Sequence, residues 1–202
     1  MKRGEIARLC VACTWMVGIA RAGLVGFDLY GDPAVYSVLD NQASATVTNG
    51  GIAATLSASP NGVLNRTTET FGVNDVTTGG DDSDALDKDE YIDVVFDRDV
   101  TFSNLTIASW AAGNAGEVQL DAGSGFVSQG SIPGAGDAAY GFFVPAGRPV
   151  RILATAEAAS GVDSKGFSVN AFSVETVPEP AAIGLLVFGV AGWWGIKRIF
   201  SS

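Results

Sequence analysis

YIDVVF, residues 91–96, has the strong alternating pattern of a β-strand. Apolar residues at every second position, Ile92, Val94 and Phe96, share one face of an extended chain, and Asp93 lies on the opposite face. Side chains alternate between the two faces of a β-strand, so this period of two indicates a strand with one buried face. An Asp-Arg-Asp turn follows directly, and the stretch therefore predicts a strand that ends at Phe96.

Similar short runs, separated by turn residues, fill the middle of the chain. Asn49-Gly50-Gly51 lies between two of them and predicts a β-hairpin. The apolar step from Phe102 to Leu105 is three residues instead of two, which predicts a bulge near Ser103-Asn104. The runs that predict strands are residues 24–30, 43–48, 52–57, 91–96, 100–107, 117–120, 140–144, 150–154 and 167–174.

These runs predict an all-β domain from Gly23 to Thr176. About nine or ten short strands separated by turns are typical of an antiparallel β-sandwich, and we expect a jelly-roll-like one. No sustained 3.6-residue apolar period occurs there, so helix is expected only at the two termini. The Gly-rich stretch from Ala111 to Ala139 is expected to consist mostly of loops.

The charge of this domain restricts its partners. Between residues 23 and 176 there are 6 Lys and Arg against 20 Asp and Glu, a net charge of 6 − 20 = −14. Such a surface repels nucleic acid, which we therefore exclude as a partner. Both cysteines precede residue 23 and the chain has no His, so thiol nucleophiles, zinc sites with His ligands and Ser-His-Asp triads are excluded from the domain.

The C-terminal 26 residues, VPEPAAIGLLVFGVAGWWGIKRIFSS, have three parts in a fixed order. Pro178-Glu179-Pro180 stays extended, because proline fixes φ and lacks an amide donor. The apolar run 181–196 predicts a membrane helix, although its sixteen residues reach only about 24 Å against a hydrocarbon core of ~30 Å. Lys197 and Arg198 follow, and basic residues hold a helix end on the cytoplasmic side.

This tail, residues 177–202, resembles the PEP-CTERM protein-sorting signal. The matching residues are Pro178, Glu179 and Pro180, the apolar helix, and the pair Lys197-Arg198. The resemblance implies a protein exported by a Gram-negative bacterium that makes exopolysaccharide. It also implies an exosortase-type membrane peptidase as a partner that recognises and cleaves the signal. The ordinary alternative is a C-terminal membrane anchor with a proline-rich neck.

The N-terminus predicts export as well. MKRGEIAR is net positive, and residues 9–20 form an apolar segment of twelve residues, which is too short to span a bilayer. Ala20 and Ala22 form an A-x-A cleavage site, so residues 1–22 are predicted to be a signal peptide whose removal leaves Gly23 first. The alternatives are a buried amphipathic helix, a retained membrane anchor, and lipidation of a cysteine in the apolar segment, whose residues before Cys13 lack the Leu of a lipoprotein box.

An acidic cluster is the one metal-site candidate. Calcium needs six to eight hard oxygen ligands, and carboxylates supply them. The EF-hand pattern fails, however, because counting from Asp82 puts Asp87 where a Gly is required. We therefore expect a solvated acidic loop and no cofactor, with Ca²⁺ as the alternative. The candidate ligands are Asp82, Asp84, Asp87, Asp89 and Glu90.

Two binding or catalytic alternatives remain open. Trp110 is the only Trp in residues 23–176, and it would be either an exposed platform for a sugar or, as we favour, a cap on the core. A carboxylate pair that included Glu117 or Glu157 would suit a glycosidase, but no motif marks such a pair. The sequence thus predicts an exported, non-enzymatic protein of the cell envelope or exopolysaccharide matrix. A carbohydrate-binding module is the first alternative, and a small secreted glycoside hydrolase is the second.

Overall fold

Alternating apolar residues give this chain an all-β fold. The computed structural model describes residues 23–31, 37–66, 70–75, 85–157 and 166–177. These residues contain twelve strands, and residues 37–39 form the one short helical turn among them. The strands are β1 (Leu24–Asp28), β2 (Ser44–Asn49), β3 (Ile52–Ala58), β4 (Gly62–Arg66), β5 (Phe71–Asp75), β6 (Tyr91–Phe96), β7 (Val100–Ile107), β8 (Ala115–Asp121), β9 (Phe126–Ile132), β10 (Gly136–Val144), β11 (Pro149–Ala156) and β12 (Val169–Thr176).

The strands form three antiparallel sheets. A four-stranded sheet has the order β1-β12-β7-β10, and a six-stranded sheet has the order β2-β3-β6-β11-β8-β9. The hairpin of β4 and β5 makes a two-stranded sheet. Residues 24–176 form one compact unit.

One apolar core joins these sheets in a sandwich-like arrangement. Phe27 and Phe172 of the four-stranded sheet stack with ring centroids 4.8 Å apart. Phe96 of the six-stranded sheet meets Phe172 edge-on at 6.0 Å. Leu64 and Phe71, on β4 and β5, are buried in the same cluster. Burial of this apolar surface is the main force that holds the sheets together.

The local predictions around turns are confirmed. Asn49 pairs with Ile52, and Gly50 and Gly51 have φ of 54° and 77°, as a tight two-residue hairpin requires. In the pairing of β12 with β7, Ser103 is skipped between two paired residues, which is the predicted bulge. The bulge lets Phe102 and Leu105 both point into the core.

The prediction that residues 111–139 are mostly loop is wrong. β8 and β9 lie there, and β10 begins there. β9 is an edge strand whose residues are mostly exposed or half-buried, so it needs no apolar alternation. Within β8, position 116 requires a glycine because the ring of Phe167 occupies the space of a side chain: an added Cβ would lie 2.7 Å from it. The predicted run 117–120 lies within β8, whereas β9, β4 and β5 correspond to no predicted run.

The predicted signal peptide, residues 1–22, and the predicted membrane helix, residues 181–196, lie outside the described residues. Within the described ranges, no helix has the length and apolarity needed to cross a membrane.

Candidate functional site

A row of polar side chains crosses the outer face of the six-stranded sheet. Alternate residues of each strand turn their side chains away from the core, and the strand register brings one such residue from each strand into line. Each member is the direct cross-strand partner of the next. In order across β2, β3, β6, β11, β8 and β9, the row is Ser44, Ser57, Asp93, Arg151, Gln119 and Ser128.

Arg151 is the centre of this row. Its Nε donates to Asp93 Oδ1 at 2.8 Å, and its Nη2 donates to Asp93 Oδ2 at 2.9 Å. The guanidinium carbon lies 3.6 Å from the ring centroid of Tyr91 and 3.7 Å from that of Phe126. A planar cation is thus bonded along one edge and covered by aromatic rings, the arrangement that suits arginine and not lysine. We call Arg151, Asp93, Tyr91 and Phe126 the Arg151 cluster.

The Arg151 cluster is partly buried, and this changes its electrostatics. The side chains of Arg151 and Asp93 are only 20% and 21% exposed. Burial alone would lower the pKa of Arg151, but its hydrogen bond to Asp93 and the charge of that carboxylate outweigh burial, so the pKa is raised from its ordinary value. The arginine is therefore charged at every pH at which the protein would be studied.

The groups around the Arg151 cluster are also paired. Gln119 Nε2 donates to Glu117 Oε1, and Arg148 Nη1 lies 3.5 Å from Asp121 Oδ2. Near the β2 edge of the sheet, two hydroxyl pairs share hydrogen bonds of 2.8 Å. The pairs are Ser44 with Ser57 and Thr46 with Thr55. The face thus presents hydroxyl and amide groups, two pairs of opposite charges, and the Glu117 carboxylate bonded to an amide.

The chemistry that this face supports is recognition of a polar ligand. Two of the five guanidinium N–H groups bond to Asp93, which leaves three that Asp93 does not use. Hydroxyl and amide side chains both donate and accept hydrogen bonds. No activated nucleophile lies in the row. A serine needs a base such as His or Lys beside it, and none of Ser44, Ser57 and Ser128 has one as a cross-strand partner.

The three described candidates for a calcium site, Asp87, Asp89 and Glu90, do not converge on one point. Glu90 Oε2 accepts from the Asp87 amide at 2.9 Å, and the Glu90 amide bonds to the Asp87 carbonyl, so these residues close a turn. Asp89 has φ of 71° and lies 3.4 Å from the Lys88 ammonium. Asp82 and Asp84 lie outside the described residues. In the part of the chain that the structure describes, no group of three or more acidic, Cys or His side chains could hold a metal ion.

Trp110 packs on the core. It is half-buried, and its ring lies 5.3 Å from that of the fully buried Phe167. This position agrees with our prediction that Trp110 caps the core. It does not place Trp110 on the same face as the polar row, because it follows β7 of the four-stranded sheet.

The two carboxylates considered for a glycosidase have separate partners. Glu117 bonds to Gln119, and Glu157 Oε2 accepts from the Lys88 amide at 3.4 Å. Glu117 is paired with Leu153 on the neighbouring strand. Glu157 comes four residues after Leu153, so its backbone lies roughly 13 Å farther along that strand. The structure gives no sign that these two carboxylates act as a pair.

The residues of the two processing signals lie almost entirely outside the described ranges. Gly23 is described, and it is exposed directly before β1. The residues whose surroundings the structure does not describe are Ala20, Ala22, Pro178, Glu179, Pro180, Lys197 and Arg198.

Sequence reasoning did not find the Arg151 cluster. One signal was available: Asp93 and Arg151 are single charges at outward positions of otherwise apolar strands. The register that pairs them was not readable, because 58 residues separate them along the chain. Comparison of the chain with protein-family models finds no match. Comparison with curated protein sequences finds no match either.

Proposed function

We propose that this chain is an exported, non-enzymatic protein of the cell envelope or exopolysaccharide matrix, sorted and cleaved at its C-terminal signal. Its partners would be an exosortase-type membrane peptidase and the inner membrane, which it would enter through residues 181–196. The order of the Pro-Glu-Pro triplet, the apolar run and the basic pair at the C-terminus supports this function.

One structural observation supports the proposal: the first strand begins just after the N-terminal signal, and the last strand ends just before the C-terminal signal. β1 starts at Leu24, directly after the predicted cleavage site, and β12 ends at Thr176, two residues before Pro178. β12 lies between β1 and β7 inside its sheet, so its backbone is hydrogen-bonded on both sides. Cleavage at either signal would therefore leave every strand of the domain intact.

The register adds a second point of support. Leu24 pairs with Glu175, so the chain enters and leaves the domain at neighbouring positions on one end of the four-stranded sheet. A domain with this arrangement can be attached to one membrane surface from either terminus without unfolding. We further propose that the two large sheets form a jelly-roll-like sandwich, with a signal-peptide helix before it and a membrane helix after it.

Cleavage at the signal can be tested with a single substitution. Glu179→Ala leaves the apolar run unchanged, so we expect normal membrane insertion but no processing. The variant should accumulate in the membrane as a slightly larger species in a host that carries an exosortase. Fractionation and immunoblotting measure both properties.

Glu175→Ala is the matched control, since it makes the same change four residues away, at an exposed position of β12. This control should be processed like the wild type. If the wild type and Glu179→Ala both stay full-length in the membrane, the tail is a plain anchor and the sorting function is wrong.

Carbohydrate binding is a second candidate function. The Arg151 cluster and the polar row favour it, because they combine aromatic rings with ordered hydrogen-bonding groups.

A further inference from the structure

We propose that the outer face of the six-stranded sheet binds an uncharged polysaccharide chain along the polar row. This inference deepens the proposed function, because it names the ligand that an exported matrix protein would bind. It rests on that function only for the location of the protein outside the cell. Its evidence is the geometry of the face itself.

The length of the row suits a polymer. Six neighbouring strands contribute one residue each, from Ser44 at one edge to Ser128 at the other. Strands in a sheet are about 4.8 Å apart, so the row extends for roughly 24 Å. A ligand that used the whole row would need several linked units and not one small molecule.

The groups in the row suit a polyhydroxyl ligand. Serine hydroxyls and the Gln119 amide can each donate and accept, and sugar hydroxyl groups have the same double capacity. Arg151 adds donors whose orientation is already fixed by Asp93 and by the two rings. A side chain that is held in place before binding loses little conformational entropy when it binds.

The charges select an uncharged ligand. Arg151 is neutralised by Asp93, and Arg148 lies beside Asp121, so the cations of this face are already paired. The domain around them carries a net charge of −14, from 6 basic and 20 acidic side chains. An anionic polymer would meet repulsion without a free cation to offset it, whereas a neutral one would not.

Affinity electrophoresis of the full-length chain in detergent micelles tests the proposal. The probes are three neutral polysaccharides, xyloglucan, galactomannan and laminarin, and one anionic polysaccharide, polygalacturonate. We expect at least one neutral probe to retard the protein and polygalacturonate to leave its mobility unchanged. Because the measurement uses purified protein, it does not depend on whether the tail is processed in cells.

A pair of double variants locates the site. Gln119→Ala with Ser128→Ala removes two neighbouring groups of the row, and two lost hydrogen bonds should weaken binding by about tenfold. Asn104→Ala with Ser173→Ala makes a matched change to cross-strand partners on the outer face of the other large sheet, and it should leave binding unchanged. Thermal unfolding of both variants confirms that each is folded.

Three results would overturn the proposal. In the first, no neutral probe retards the wild type. In the second, both double variants bind as the wild type does, or both lose binding equally. In the third, polygalacturonate binds more tightly than the neutral probes, which would show that the face recognises charge.

Discussion

The outer faces of the two large sheets differ, although both lie over the same core. The six-stranded sheet carries the Arg151 cluster, with charges and aromatic rings in contact. The central row of the four-stranded sheet consists of small or uncharged residues that are likewise cross-strand partners. That row is Gly26, Ser173, Asn104 and Ala139.

This difference separates what the fold requires from what the surface adds. Both sheets have antiparallel backbone hydrogen bonding, and both have an apolar inner face. The four-stranded sheet shows that a sheet of this fold does not need charged or aromatic side chains in the central row of its outer face. The Arg151 cluster on the other sheet is therefore not required by the fold, and the proposed binding role would account for it.

The largest effect should come from the core that both faces share. Phe172 is 1% exposed and stacks on Phe27, so Phe172→Ala should lower the free energy of unfolding by about 3–5 kcal/mol. Urea unfolding followed by circular dichroism measures this loss. Phe143→Ala is the control, because Phe143 is 50% exposed on the outer face of the same sheet and should cost about 1 kcal/mol or less. Equal losses would contradict the burial of Phe172 in the core between the two large sheets.

An intermediate effect should come from the Arg151 cluster. Arg151→Lys keeps the charge but loses the planar fork and the ring contacts, so we expect a loss of about 1–3 kcal/mol in the free energy of unfolding. Urea unfolding at fixed salt measures it.

Arg98→Lys is the matched control for this substitution. Arg98 also bonds to an aspartate, Asp97, but at 3.3 Å and with half of its side chain exposed. Exposed pairs contribute little, so this variant should lie within about 0.5 kcal/mol of the wild type. If both Lys variants lose the same free energy of unfolding, Arg151 and Asp93 contribute no more than an exposed ion pair. The two outer faces would then not differ in their contribution to stability.

The parts of the fold that sequence could predict are those set by neighbouring residues. Alternation in residues 91–96 predicted β6, and Asn49-Gly50-Gly51 predicted the hairpin that the structure contains. The three-residue step from Phe102 to Leu105 predicted the bulge. Each of these depends on a few adjacent residues and on the two faces of a strand.

The parts that sequence could not predict depend on pairing between distant residues. β9 has no apolar period because it is an edge strand with an exposed surface, so alternation could not reveal it. The contact of Arg151 with Asp93 requires the register of β11 against β6. Trp110 could be interpreted from sequence because it follows a predicted strand, and its contact with Phe167 agrees with a cap on the core. That contact itself joins distant residues and could not be predicted.

The smallest effect should come from Asp137, a charge on the edge strand β10 of the four-stranded sheet. Asp137 is exposed, and Thr106 Oγ1 donates to its Oδ1 at 2.6 Å while Asn104 Nδ2 donates at 3.4 Å. These hydrogen bonds, that of Thr106 first, lower the pKa of Asp137 from its ordinary value. A carboxyl with a lowered folded pKa stabilises the fold above its unfolded pKa of about 3.9, and this contribution is lost as the pH falls through the folded pKa.

Asp137→Asn isolates this charge, because the amide oxygen still accepts from Thr106 but does not titrate. At pH 7 the wild type should unfold at a slightly higher temperature than the variant. The gap should start to narrow below about pH 4 and should close at lower pH, when Asp137 is protonated in the folded wild type as well. Thermal unfolding at a series of pH values measures the gap. A gap that stays constant down to acid pH would mean that the charge of Asp137 contributes nothing. Asp137 would then add nothing to stability on the outer face of the four-stranded sheet, in contrast to the charges of the Arg151 cluster.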